Sequence, residues 1–154
     1  MSFSVSRVKW EQAVSLLKDV REKVFICEWR IPRKIEFDRK DPYAFHVLVC
    51  DDITQEPVAT GRILSTGEIS RIAVLMAFRK RNIDRHVMKG LLAIARDINL
   101  DEVFIYSPLD DVEYFRKFNF TSAGAVFMEV GMPRQRMACS VENISNVTNF
   151  AFNH

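Results

Sequence analysis

Cysteine is scarce in this chain: Cys27, Cys50 and Cys139 stand far apart and form no Cys-x-x-Cys pair. That spacing excludes a disulfide framework and a cysteine-based metal centre, and no metal site is expected. An odd number of thiols in a chain of ordinary size points to a reducing compartment. Long apolar runs are missing too. No window approaches the ~20 residues of a membrane span, and the opening MSFSVSRVKWEQ has no apolar core fit for a signal peptide. The expectation is a cytoplasmic protein with no membrane partner. In that setting the Asn-X-Ser/Thr triplets at Asn119, Asn143 and Asn146 carry no weight. Excess charge of one sign is also lacking. With 22 Lys and Arg against 20 Asp and Glu, the net charge is +2, which argues against a general nucleic-acid binder. No internal repeat is visible. Finally, the strongly basic turn Arg79-Lys80-Arg81-Asn82-Ile83-Asp84 has no glycine. A strand, a basic turn and an amphipathic helix are how many proteins seat a phosphate-bearing ligand, yet glycine usually lets the phosphate in close.

What is present suits one compact domain, read as residues 1–140 with a loose Asn-rich tail at 141–154. Apolar residues make up 48% of the 154, including 12 Phe, enough for one buried core. Alternation predicts a first strand at Phe3–Val8. Val14, Leu17, Val20 or Arg21, and Val24 recur at helical spacing, predicting a helix over 10–28 that Pro32 stops. Residues 29–43 read as a polar, Pro-punctuated loop. Segments 44–50, 58–65 and 68–75 are rich in β-formers and joined by short turns, so they read as an antiparallel meander. Ile83, Val87, Leu91, Ile94, Ala95 and Ile98 mark a helix over 83–98. A strand at 102–107 follows it, which favours a parallel, right-handed crossover. A helix at 109–120, with Asp110 or Asp111 at its N-cap, and a closing hairpin complete the order. The class is α/β (α+β): a mixed, mostly antiparallel sheet with helices on both faces.

At this point the residues resemble a known family. Val24-Phe25-Ile26-Cys27-Glu28-Trp29-Arg30-Ile31-Pro32, EFDRKD at 36–41, His46, Gly61-Arg62, SRIAVL at 70–75, FRKFNF at 115–120 and GMPRQRM at 131–137 follow one another as in GCN5-related N-acetyltransferases (GNATs). The likeness is to the small bacterial branch and spans roughly residues 3–138. It implies a V-shaped cofactor cleft, acetyl-CoA as co-substrate, and a small-molecule or peptide amine as acceptor. A homodimer is compatible with it. By the same resemblance, Ile72, Ala73 and Val74 line the pantetheine arm. An N–H near Val74 would polarise the thioester, as an oxyanion-type donor does. Residues Arg79, Lys80, Arg81, Asn82, Ile83, Asp84 and Arg85 would receive the diphosphate.

The family pattern for that turn is Arg-Gly-x-Gly-x-Gly/Ala. Arg79 is kept, and all three glycine positions are changed. Asn82 tolerates the left-handed conformation, whereas Lys80 and Asp84 do so poorly. Two readings stay open: a phosphate site rebuilt on cationic side chains, or a solvated basic turn on a domain that has lost its ligand. On the first, Asp84 becomes an N-cap of a helix that starts late.

Among catalytic candidates, the resemblance nominates Glu28 as the base that takes the amine proton, with His46 assisting. Glu36, Asp38 and Glu68 are weaker choices. The family's Tyr, which protonates the departing thiolate, is matched by Phe115. Tyr114 is adjacent but lies about 100° round the helix. A CoA-type thiol, with a pKa near ~8.5, leaves without help, so a slower enzyme is implied. Arg62, with Arg71 and Arg134, would line the acceptor pocket and favour an anionic group; solvated strand-edge charge is the competing reading. Two other functions remain in play. One is a module of this fold that binds CoA or a metabolite without turnover. The other is an acyltransferase using an acyl carrier protein docked on the basic turn.

Overall fold

The computed structural model of the protein describes residues 2–143. The expected loose tail therefore lies, from residue 144, outside the described residues. Strands β1 (Phe3–Val8), β2 (Phe45–Asp51), β3 (Pro57–Ile63) and β4 (Ile69–Val74) form one antiparallel sheet in the order β1-β2-β3-β4. Strands β5 (Glu102–Pro108), β6 (Thr121–Ser122), β7 (Phe127–Glu129) and β8 (Met132–Ser140) form a second, in which β8 pairs with the other three. Helices α1 (Trp10–Arg21), α2 (Arg33–Glu36), α3 (Ile83–Asp97) and α4 (Val112–Arg116) connect and cover them.

The mixed sheet is thus split into two parts. The parallel crossover β4-α3-β5 exists, but its strands meet at one bridge, between Glu68 and Phe104. There the Phe104 N–H donates to the Gly67 carbonyl at 3.0 Å. Gly67 has φ +100°, and a Cβ on it would come within 2.6 Å of the Glu102 carbonyl oxygen. Only glycine lets the two strands meet so closely. Beyond this apex β4 and β5 separate, and the opening is a V.

Two helical readings needed revision. The helix over 10–28 is present but kinks at Ala13 (φ -136°), and Glu22–Glu28 is wound as a π-helix, which periodicity does not distinguish. The helix expected at 109–120 shortens to α4, preceded by a 3-10 turn at Leu109–Asp111. Asp111 does occupy the N-cap position, with no side-chain capping bond.

The core lies between the sheets and α3. Ile83, Val87, Met88, Leu91, Leu92, Ile94 and Ala95 bury the apolar stripe of α3 against Val47, Val49, Ala59 and Ile63 of the first sheet and Val103, Ile105 and Met137 of the second. A helix so clamped fixes where its N-terminus points, which is into the mouth of the V.

Candidate functional site

A cavity of about 770 Å³ fills the V. One wall is Ile72, Ala73 and Val74 of β4. The opposite wall is Tyr114, Phe115 and Phe118. The turn Arg79–Arg85 closes one end. The Leu75 N–H donates to the Val58 carbonyl of β3 at 2.9 Å. Main-chain groups alternate along a strand, so those of Val74 and Ile72 face the other, open edge. Arg79 Nε donates to the Val74 carbonyl at 3.0 Å, in keeping with that orientation.

The basic turn takes the shape that glycines would give it. Lys80 has φ +67° and Asn82 has φ +61°, both left-handed, at two of the three positions where the resemblance expects glycine. Each left-handed non-glycine residue costs on the order of 1 kcal/mol, so the surrounding structure holds the turn in shape. Asn82 is the N-cap of α3, which starts at Ile83. The late helix start with Asp84 as cap is therefore corrected. Asp84 lies in the first turn of α3, and its carboxylate accepts a hydrogen bond from the Tyr114 hydroxyl on the opposite wall.

The other arginine-rich region is buried. Residues Arg21, Glu36, Arg71, Asp38, Arg62 and Asp41 form a closed ring in which cation and carboxylate alternate. Going round it, Arg21 Nε meets Glu36 at 2.7 Å, and Arg71 Nε meets Glu36 at 3.3 Å. Arg71 Nη2 meets Asp38 at 3.1 Å, and Arg62 Nη2 meets Asp38 at 2.7 Å. Arg62 Nη1 meets Asp41 at 2.9 Å, and Arg21 Nη1 closes the ring to Asp41 at 2.7 Å. The guanidinium of Arg21 also lies over the Phe37 ring, 4.9 Å from its centroid. Burial alone would push the Asp38 carboxyl up, but the Arg62 guanidinium outweighs it and holds Asp38 far below the usual carboxylate range. One sequence signal pointed here: Arg21 falls on the apolar stripe of α1, where a cation needs buried partners.

The comparisons agree with this geometry. No family model matches the chain. The uncharacterized protein YyaT of Bacillus subtilis (strain 168) is 25% identical over 151 residues, covering 94% of this chain and 99% of its own length. The uncharacterized N-acetyltransferase YjcF of the same organism is 28% identical over 128 residues, covering 79% and 90%. Among solved structures, an acyl-CoA N-acyltransferase from Pseudomonas aeruginosa superposes with a TM-score of 0.78 at 21% identity, covering 89% of this chain and 99% of that one. The chain has the fold of the GCN5-related N-acetyltransferases (GNATs) and is similar in sequence to curated N-acetyltransferases.

Within a GNAT frame, the predicted site residues divide in two. Ile72, Ala73, Val74, Arg79, Lys80, Asn82, Ile83, Asp84 and Arg85 line the cleft, with Tyr114 across from them. Arg81 lies over the Phe78 ring, 5.4 Å from its centroid, at the edge of the turn. His46 and Arg62, expected at the acceptor pocket, do not line this cleft. Arg62 is 1% exposed and spends its donors on Asp38, Asp41 and Ser70. His46 is equally buried, with Nε2 2.9 Å from the Asp41 carbonyl oxygen, and burial lowers its pKa. Both side chains are thus buried and already paired.

Tyr114 lines the cleft, whereas Glu28 lies in a neighbouring groove with Leu75 and Met76, and both side chains are engaged. Glu28 binds Arg79 through both oxygens, at 2.7 and 2.8 Å, and accepts a bond from the Trp29 indole at 3.0 Å. The Arg79 guanidinium lowers the Glu28 pKa, which weakens it as a proton acceptor. Burial, and then the bond to Asp84, push the Tyr114 phenol far above its ordinary value, which weakens it as a proton donor. The next residue, Phe115, lines the same wall where the family's Tyr is expected. Sequence spacing could not show that both candidates had partners.

Proposed function

We propose that the chain transfers an acetyl group from acetyl-CoA to an amine of a small molecule or peptide. The observation that carries this is the open edge of β4, with the main chain of Ile72 and Val74 turned into a cleft that ends on a cationic turn and a helix N-terminus. These residues suit the donor. The Ile72 and Val74 main-chain groups would hold a pantetheine arm. The α3 N-terminus, Lys80 and Arg85 would hold the diphosphate. Acetyl-CoA supplies the activated thioester. The chain supplies the rest: the Val74 N–H aimed at the thioester oxygen where charge develops, and Glu28, held beside the cleft by Arg79, for the amine proton once Arg79 turns to the diphosphate. A thiolate with a pKa near ~8.5 departs without a neighbouring acid, so turnover is slow.

A second reading has its own support. With Glu28 tied to Arg79 and Tyr114 tied to Asp84, a domain that binds CoA without turnover is also consistent.

The test is a thermal-shift and calorimetric series with CoA, acetyl-CoA and pantetheine at low and high salt. Ligand at ~100-fold over Kd adds ~2.7 kcal/mol of stability. A cationic turn should lose roughly tenfold in CoA affinity as the Debye length falls from ~10 Å to ~3 Å. Absence of any shift at millimolar CoA removes the proposal. Binding without thiol release across an amine panel selects the second reading.

A further inference from the structure

The strand that forms the cleft wall carries a fault, and the buried ring holds it. Register along β3 and β4 pairs Thr60 with Ala73 but Arg62 with Ser70. One residue on β3, Gly61, therefore faces two on β4, Arg71 and Ile72, which is a β-bulge. Arg71 takes the left-handed conformation, φ +57°, which an arginine in a strand adopts only when its surroundings impose it. The imposition is visible. Besides its two ring carboxylates, Arg71 donates to the main chain of α2, from Nη2 to the Ile35 carbonyl at 3.0 Å and from Nε to the Glu36 carbonyl at 3.2 Å. On the other side Gly61 leaves room: a Cβ there would lie 2.7 Å from Val87 Cγ1 and 3.3 Å from Ile72 Cγ1. A bulge re-aims the strand that follows it, and here that strand is Ile72–Val74.

We propose that Arg71 is a positioning residue: through the ring with Glu36, Asp38, Asp41, Arg21 and Arg62 it locks the β4 bulge and so aims the Ile72 and Val74 main-chain groups into the cleft. This rests on the acyl-donor reading above for what is aimed at, but not for the locking itself. The ring is charge-neutral and lies behind the cleft wall, so its part is mechanical.

The test uses two variants. Glu36→Gln with Arg71→Gln keeps charge balance while removing the clamp; Arg71→Lys keeps the charge and loses the fork. First, amide exchange is followed in the unliganded protein. Ala73 and Leu75, whose N–H groups face β3, should exchange about tenfold faster in the double variant, with α3 core amides such as Leu91 unchanged. Second, acetyl-CoA labelled with 13C at the thioester carbonyl reports polarisation. Its bound shift should move back toward the free value, and kcat should fall at least about tenfold, while CoA affinity changes less than about threefold. Arg71→Lys should be intermediate in both readouts, and serves alone if the double variant does not fold. Parent-like exchange at Ala73 and Leu75 overturns the locking, and a parent-like carbonyl shift overturns the aiming. Failure of the parent chain to bind acetyl-CoA overturns the donor reading instead, and the exchange measurement still decides the locking.

Discussion

Two arginine-rich regions sit on opposite sides of β4, and they treat charge in opposite ways. Behind the strand, Arg21, Arg62 and Arg71 are matched one for one by Glu36, Asp38 and Asp41, with Arg21 and Arg62 each 1% exposed. In front of it, the turn Arg79–Arg85 presents cationic side chains at the mouth of the cleft, and Arg79 is shared between Glu28 and the Val74 carbonyl. Charge that is saturated and buried fixes geometry. Charge held at an opening lies where a ligand could compete for it. The same residue type therefore has two roles, decided by what carboxylates the fold brings near it.

The comparison breaks most severely at Arg62. Arg62→Met leaves Asp38 and Asp41 short of a cation in a buried site, and should cost about 3–5 kcal/mol in urea denaturation. An effect under about 1 kcal/mol, typical of exposed pairs, would mean the ring is no more than surface charge.

Acid should act on the ring and its neighbour His46 in two declines, opposed in part by Glu36, whose carboxyl burial raises. Burial lowers the folded-state pKa of His46 below its ordinary 6.5, so the unfolded chain binds the extra proton first and stability declines as pH falls below about 6.5. Asp38 is ordinarily near 3.8 and is depressed in the fold. Its contribution is complete above about pH 4 and is lost as pH falls toward the folded value. Equilibrium unfolding between pH 7.5 and about 3 should show both declines, with His46→Gln removing the first. A flat profile through pH 6.5 in the parent would exclude His46.

In the front region, Glu28→Gln releases Arg79 from a two-point ion pair. CoA affinity, measured by calorimetry, should tighten about threefold to tenfold, the worth of a partly exposed pair. Weaker binding would instead make the Glu28–Arg79 pair part of the ligand site's framework. The smallest effect belongs to Lys80→Gly. It relieves a left-handed lysine and should raise stability by about 0.5–1 kcal/mol in thermal denaturation, offset in part by backbone entropy. A loss of stability would show that the Lys80 side chain, and not its backbone, holds the turn.

The order of elements, the strand–turn–helix unit and the stripe of α3 were legible because period and turn chemistry are local signals. The set from Ile72 to Arg85 came from the resemblance, and its members other than Arg81 lie together along the cleft because one strand end and one turn are contiguous in the chain. Positive φ at Lys80 was the unexpected part, beside the tolerated one at Asn82: the backbone path persists without the glycines, because packing of α3 and β4 outweighs about 1 kcal/mol of local strain at each.

What the sequence could not decide was partnership. His46, Arg62, Glu28 and Tyr114 were nominated from resemblance, type and position, yet each is also bound by a residue 5 to 51 positions away. The sequence by itself determined a GNAT-like chain with one core and a basic turn ahead of a helix, because hydrophobic period and motif order are properties of the chain read in line. Only the tertiary structure decided which charges close on one another and which face the cleft. Ion pairing acts at a few ångströms through space, and the loop carrying Glu36, Asp38 and Asp41 reaches Arg21, Arg62 and Arg71 only after three elements have folded around it.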